Sequence, residues 1–256
     1  MSMLTSQRPV AERDAEETRI RRDLAGLYRL MALFGWDDLT ATHISARLPG
    51  AKDAFLINPY GLLFEEITAS SLVKIDADGE ILEPTSYGVN AAGFVIHSTV
   101  HMARPDAGCV VHLHTTDGMA VSALEEGLLP LNQTAMIVSG DVAFHEYEGV
   151  ANDVDERARL QADLGAKNAM ILRNHGTLAL GRTVADAFSR IYFLERACTA
   201  QVKALSMGRP IHHADPEVVA KVARQVSAES TARSSQMFTW PAMLRKLDRI
   251  CPDYKD

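Results

Sequence analysis

Arg104-Pro-Asp-Ala-Gly-Cys-Val-Val-His-Leu-His114 carries the chain from a helix into a strand. Pro105 has no backbone N–H and stops the helix read over Asn90 to Arg104. Cys109 to His114 is a short apolar run and reads as a strand. Side chains alternate along a strand, so His112 and His114 point to one face. Two nitrogen donors are then close enough to share one metal ion. His175 lies in Asn174-His-Gly176, a tight turn between two further strands, Ala169 to Leu172 and Thr177 to Leu180. Three neutral imidazoles with a fourth position open form a catalytic zinc arrangement. On spacing alone, the same histidines also fit packing and capping roles.

Outward from this centre the chain alternates between the two kinds of element. Apolar residues recur with helical period at Ile20, Leu24, Leu27, Leu30, Met31 and Phe34, so Ala11 to Phe34 reads as a helix. His43 to Arg47 and Phe55 to Ile57 read as strands about a Pro49-Gly50 turn. Val73 to Ile75 and Ile81-Leu82 flank Asp76-Ala-Asp-Gly79 as a hairpin. Asp117 to Leu124 and Asp153 to Leu164 read as helices, the latter with Asn152 or Asp153 as N-cap. Ile137-Val138 reads as extended. A long helix, Val184 to Ser206, ends at Gly208. Ser227 to Ser235 is polar and reads as a linker. The apolar tail beyond it, with Phe238, Trp240, Met243, Leu244 and Leu247, must pack on the body or on a neighbouring subunit. The expected division is a main domain over 1–226 and an extension over 227–256. Strands mixed with helices throughout indicate an α/β layered domain.

The chain has 256 residues, with 26 Lys+Arg against 33 Asp+Glu, a net charge of −7. That balance argues against a general nucleic-acid binder. Three cysteines, Cys109, Cys198 and Cys251, make neither a disulfide framework nor a cysteine-only zinc site. Met1 to Arg22 lacks the apolar core of a secretory peptide. No apolar run reaches the roughly 18 residues of a membrane span. The expectation is a cytoplasmic protein with no membrane or nucleic-acid partner. A Gly-x-Ser-x-Gly elbow, a Walker A loop and a Gly-x-Gly-x-x-Gly loop are all missing. His97 and His101, four apart, share a helix face.

These motifs together resemble the class II aldolase/adducin family. Arg104-Pro-Asp followed by His112-Leu-His114 resembles its metal strand, and Asn174-His-Gly-Thr-Leu-Ala-Leu-Gly181, whose His175 lies 61 residues on from His114, resembles its third-ligand motif. Ala187 to Ala197 resembles the next helix. His43 to Arg47 and Asn58-Pro-Tyr-Gly61 resemble the early strands. The resemblance spans about Ala11 to Pro210. It implies a three-layer α/β/α sandwich with a central, mostly antiparallel sheet, and a homotetramer. It also implies that His112, His114 and His175 bind a divalent ion, Zn2+ first and Mn2+ or Fe2+ as alternatives. Such a metal polarises substrate oxygens as a Lewis acid.

The chain departs from the aldolases where they carry a Glu acid/base. That run falls on Ala91-Ala92-Gly93, or with an insertion on Thr85-Ser86-Tyr87, and neither supplies a carboxylate. The early Gly-Asn of the phosphate pocket becomes Thr42-His43, its Ser-Gly becomes Tyr60-Gly61, and the proton-handling tyrosine falls near Thr134. Asn90-Ala-Ala-Gly-Phe94 resembles the adducin-like branch. The expected function is a metal-dependent lyase acting on a small oxo- or hydroxy-acid, by C–C cleavage or decarboxylation, rather than a standard sugar-phosphate aldolase. Tyr87, His97, Gln133 and Glu146 are candidates for acid/base or orienting roles. The alternatives are a non-catalytic, adducin-like assembly module and an iron-dependent oxidative enzyme.

Overall fold

The structure, a computed structural model, describes residues 15–50, 54–149 and 154–256. The expected helix start at Ala11 and the expected N-caps Asn152 and Asp153 lie outside these residues.

The elements, in chain order, are α1 (Ala15–Phe34), β1 (His43–Arg47), β2 (Phe55–Ile57), β3 (Val73–Ile75), α2 (Ala91–Ala103), β4 (Cys109–Leu113), α3 (Thr116–Ser122) and α4 (Gln133–Ser139). Then come β5 (Val142–His145), α5 (Val154–Leu164), β6 (Ala169–Leu172), β7 (Gly176–Gly181), α6 (Val184–Ser206), α7 (Pro216–Gln225), α8 (Ala228–Ser234) and α9 (Trp240–Ile250). The strands form one sheet in the order β3-β2-β1-β4-β7-β6-β5. Every pairing is antiparallel except β5 with β6. That exception has a cause: parallel neighbours need a long crossover, and α5 supplies it.

Alternation along the strands divides the core in two. Ile44, Ala46, Val111, Leu113, Ile171 and Ala179 meet α1, α3, α4, α6 and α9 through Leu24, Tyr28, Val121, Ala135, Phe188, Ile191, Leu194 and Leu247. Val110, Met170, Leu172, Leu178 and Leu180 meet α2 and α5 through Ile96, Val100, Leu160 and Leu164. The result is the expected sandwich, helices on both faces of a mostly antiparallel sheet. β4 is buried along its whole length. It lies between β1 and β7, so it can bring residues from three strands to one place.

Several local readings differ from the sequence expectation. Ile137-Val138 is helical, inside α4, because Asn132 caps Ala135 N–H and starts a helix there. The Ser227 to Ser235 linker is helix α8, capped by Ser227 on Ser230 N–H. β5 and α7 had no counterpart in the sequence reading.

The C-terminal tail packs on the body of the same chain. Trp240 is buried against Phe188, and its Nε1 donates to Asp23 at 2.9 Å. Ala69 N–H and Ser70 N–H donate to the carbonyls of Tyr254 and Asp256, and Arg29 pairs with Asp253 at 2.7 Å. Among the described residues, no helix is long and apolar enough to cross a membrane.

Candidate metal centre

His112 and His114 project to the α2 side of the sheet, the side that Val110 also faces. His175 enters from the turn before β7. Asn174 holds φ 53, a left-handed conformation that Asn tolerates better than most residues. A Cβ on Gly176 would stand 2.4 Å from Leu113 O, so only glycine lets β7 begin this close to β4. The three ligand atoms lie within 4.8 Å of one another. His114 Nε2 is 2.9 Å from His112 Nε2 and 3.0 Å from His175 Nε2.

The outer nitrogens fix what the inner ones present. His112 Nδ1 is 3.0 Å from the Thr177 carbonyl, which can only accept, so Nδ1 carries the proton and Nε2 a lone pair. His114 Nδ1 donates to Asp38 Oδ2 at 3.1 Å with the same consequence. Two lone pairs facing each other at hydrogen-bond distance repel unless something electropositive lies between them. A tetrahedral ion with bonds of about 2.0–2.1 Å sets its nitrogens roughly 3.3 Å apart. The trio needs to open by a few tenths of an ångström to hold one. Burial pushes His112 well below its ordinary pKa, and pushes His175 down to about 4 with help from His114. Neutral imidazoles are the form that binds metal. The donor set fits a divalent ion.

A carboxylate supports the centre from behind. Glu195 on α6 accepts hydrogen bonds from Thr115 and Thr177, one on each side of its carboxyl group. Thr115 follows His114 and Thr177 lies two residues past His175, so Glu195 ties β4 to β7 where both ligands emerge. Burial raises its pKa to about 7 against the two hydroxyl donors, which lower it.

Of the four acid/base candidates, the structure brings His97 to the centre. It is fully buried, with its ring centroid 6.5 Å from that of His112. Tyr87 is exposed in the loop before α2, and Gln133 is exposed at the start of α4. Glu146 is exposed and 3.8 Å from Arg173. None of these three makes a hydrogen bond, ion pair or ring contact with the trio among the described residues. Tyr147, the residue after Glu146, lies closer, with its ring 6.1 Å from His175. Sequence reasoning missed Asp38, Thr177, Tyr147 and Glu195. Their link to the ligands is tertiary, and no spacing rule reaches it. His43 and Ser45 were also missed, although alternation along β1 and its pairing with β4 place His43 opposite His112.

Residues 22–202 match the sequence model of the Class II Aldolase and Adducin N-terminal domain. The fold superposes with TM-score 0.90 on an aldolase II superfamily protein from Pseudomonas syringae, 48% identical, covering 96% of this chain and 98% of that one. It superposes with TM-score 0.81 on the L-fuculose 1-phosphate aldolase of Glaciozyma antarctica, 28% identical over 98% and 97% of the two chains. Alpha-adducin of Mus musculus is 48% identical over 201 residues, 77% of this chain and 27% of that protein.

Proposed function

The chain belongs to the class II aldolase and adducin family, and on that premise we propose that it is a divalent-metal-dependent lyase for a small oxo- or hydroxy-acid, working by C–C cleavage or decarboxylation. The observation that carries this reading is the convergence of three Nε2 atoms, two of them, on His112 and His114, lone pairs set from outside the centre. A binding surface with no need of an ion has no use for two acceptors aimed at one another beside a third imidazole nitrogen.

His112, His114 and His175 would hold the ion, with Zn2+ the first choice and Mn2+ or Fe2+ as alternatives. When bound, it supplies a Lewis acid that draws off negative charge developing on substrate oxygen. Asp38 and the Thr177 carbonyl keep His112 and His114 aligned. Tyr147 stands beside His175, half exposed, where it can cover a small acid and limit water. His97 is the candidate that can act at the reacting end. Among the described residues, the carboxylate that contacts the trio is Asp38, and it is engaged on the outer side of His114. Neither Gly93 nor Tyr87, the two positions where the Glu of the sugar-phosphate aldolases would fall, supplies a carboxylate base. Decarboxylation needs an electron sink more than a base, and that favours it.

A second reading has a specific observation behind it. The 48% identity to alpha-adducin supports a non-catalytic assembly module built on the same domain. A homotetramer accompanies either reading. The test is incubation of the zinc-, manganese- or iron-loaded protein with a panel of small hydroxy- and oxo-acids, following release of CO2 or an aldehyde. Release that disappears in His175→Ala supports the lyase. A loaded tetramer that turns over none of them supports the assembly module.

A further inference from the structure

A cleft lies at the far end of the sheet from the three histidines, where β4 begins and β7 ends and Cys109 pairs with Gly181. Gly181 is six residues past His175, so about 20 Å of strand separates the cleft from the centre. Leu180 and Gly181 line it from β7, Asp186 and Arg190 from α6, and Glu229 and Arg233 from α8. Its volume of about 570 Å3 is ordinary for a small-molecule site.

The charged groups of the lining are unequally matched. Arg104 is fully engaged. It grips both carboxylate oxygens of Asp106, at 2.8 and 2.9 Å, and it also donates to the carbonyls of Gly165 and Lys167 and to Asn168. Asp186 is 1% exposed and accepts from Gln236 at 3.0 Å. Glu229 stands 3.7 Å from Arg233, both of them exposed. Every carboxylate of the lining thus has a donor or a cation of its own. The same does not hold for the arginines.

Arg182 is exposed, and it makes no hydrogen bond or ion pair among the described residues. Arg190 is more sheltered, with its side chain 17% exposed, and the carboxylate it approaches, that of Asp141, is 4.0 Å away. Asp141 is itself held by the backbone N–H and the side-chain amide of Asn168. No nitrogen of Arg190 makes a hydrogen bond among the described residues, and Nη1 is sealed from solvent as well. Burial lowers its pKa, against the pull of Asp141, Asp186 and Asp106 and with a push from Arg104. A guanidinium has five N–H donors, and leaving them unmet in a half-buried place costs free energy. Such a group in a native fold calls for a partner that the chain does not supply.

We propose that this cleft is a second binding site, for a small dicarboxylate, with one carboxylate on Arg190 inside the cleft and the other on Arg182 at its exposed edge. The planar guanidinium fork meets a carboxylate in two parallel hydrogen bonds. Two forks, one sheltered and one exposed, match two carboxylates on one short chain. A phosphate would gather its charge at one point, beside the Asp186 carboxylate in the first turn of α6. The Asp186 N–H, a helix-start donor of the kind that phosphates use, is already taken by Thr183. The site stands apart from the metal centre and from the reaction proposed there.

The experiment follows thermal unfolding of the zinc-loaded protein with succinate, butyrate, inorganic phosphate or sodium chloride at matched ionic strength. Succinate should raise Tm saturably, by about 3–6 °C at ten times its dissociation constant. It should bind about tenfold more tightly than butyrate, which has one carboxylate on the same four carbons. The rise should persist in His112→Ala/His114→Ala, which removes the affinity of the metal centre for acids. Arg182→Gln should bring succinate down to the level of butyrate, and Arg190→Met should abolish the binding of both. Arg190→Met also reads the unmet donors directly. Without ligand its Tm should match or exceed that of the wild type, because the guanidinium it removes has no hydrogen bond to lose. A ligand-free Tm lowered by several degrees would make Arg190 a structural partner of Asp141 and overturn the site. So would a rise that chloride or phosphate reproduces, a rise that disappears with His112 and His114, or no rise at all.

Discussion

Replacing Glu195 by glutamine should change how stability depends on pH, in a direction fixed by the burial of its carboxyl group. In the folded chain this carboxyl group titrates near pH 7, against an ordinary value of 4.5. Between those two values the folded chain holds a proton that the unfolded chain has released. Stability therefore falls as pH rises through that window, and it stays lower above it. The gap, at roughly 1.4 kcal/mol for each pH step, comes to about 3 kcal/mol. Glutamine has no proton to lose. It can still accept from one of the two threonines, at a cost of about 1 kcal/mol for the poorer hydrogen bonding, and this cost is the same at every pH. Relative to wild type, Glu195→Gln should gain about 2–3 kcal/mol between pH 5 and pH 8. In a domain of this size that is about 4–12 °C in Tm. Urea unfolding of both proteins, with chelator present so that metal binding does not intrude, measures the difference directly. A difference that stays flat from pH 5 to pH 8 would show that the folded carboxyl group titrates at its ordinary value, and the argument from burial would fail.

Two other substitutions test separate parts of the account. Asp38→Ala removes the acceptor that holds His114 Nδ1–H and should weaken zinc binding about 10–100-fold in competition with a chelating dye; unchanged affinity would mean that His114 is oriented by packing alone. Trp240→Ala should cost about 3–5 kcal/mol in urea unfolding, because it empties a buried site against Phe188 and takes the hydrogen bond from Asp23, a carboxyl group already raised by burial. A loss under about 1 kcal/mol would mean that the tail is not part of the core.

The strands and helices nearest the centre were the most legible in the sequence. Cys109 to His114 is bounded by Pro105 and by the Thr115 cap on α3, and its residues are apolar enough to read as a buried strand. Val184 to Ser206 was found whole because its amphipathic period is long and Gly208 ends it. The misreadings have local causes. In α4, Ile137-Val138 is a β-branched pair, and helix packing against α6 outweighed its strand propensity. The Ser, Thr and Ala residues of α8 resemble a linker, but Ser227 caps the helix. β5 is four residues long and ends in His145, too short for alternation to stand out.

The centre divides in the same way. The ligands follow from period two in a strand and from a turn. What orients them does not: Asp38 lies 76 positions from His114, and Thr177 acts on His112 through its backbone carbonyl, which no side-chain motif reports. His43 shows most clearly why sequence spacing falls short. It faces the centre because β1 pairs with β4, and its site exists because residue 93 has no side chain. Gly93, one of the two positions read in sequence as a missing carboxylate, is in the fold the space that the His43 imidazole fills.

The central claim is that His112, His114 and His175 bind a divalent metal. Elemental mass spectrometry of the purified protein, beside the His112→Ala/His114→Ala double variant, tests it most directly. The account predicts about one zinc, manganese or iron per chain in the wild type and none in the variant. A wild-type protein that is metal-free, and stays so after incubation with all three ions, would contradict it.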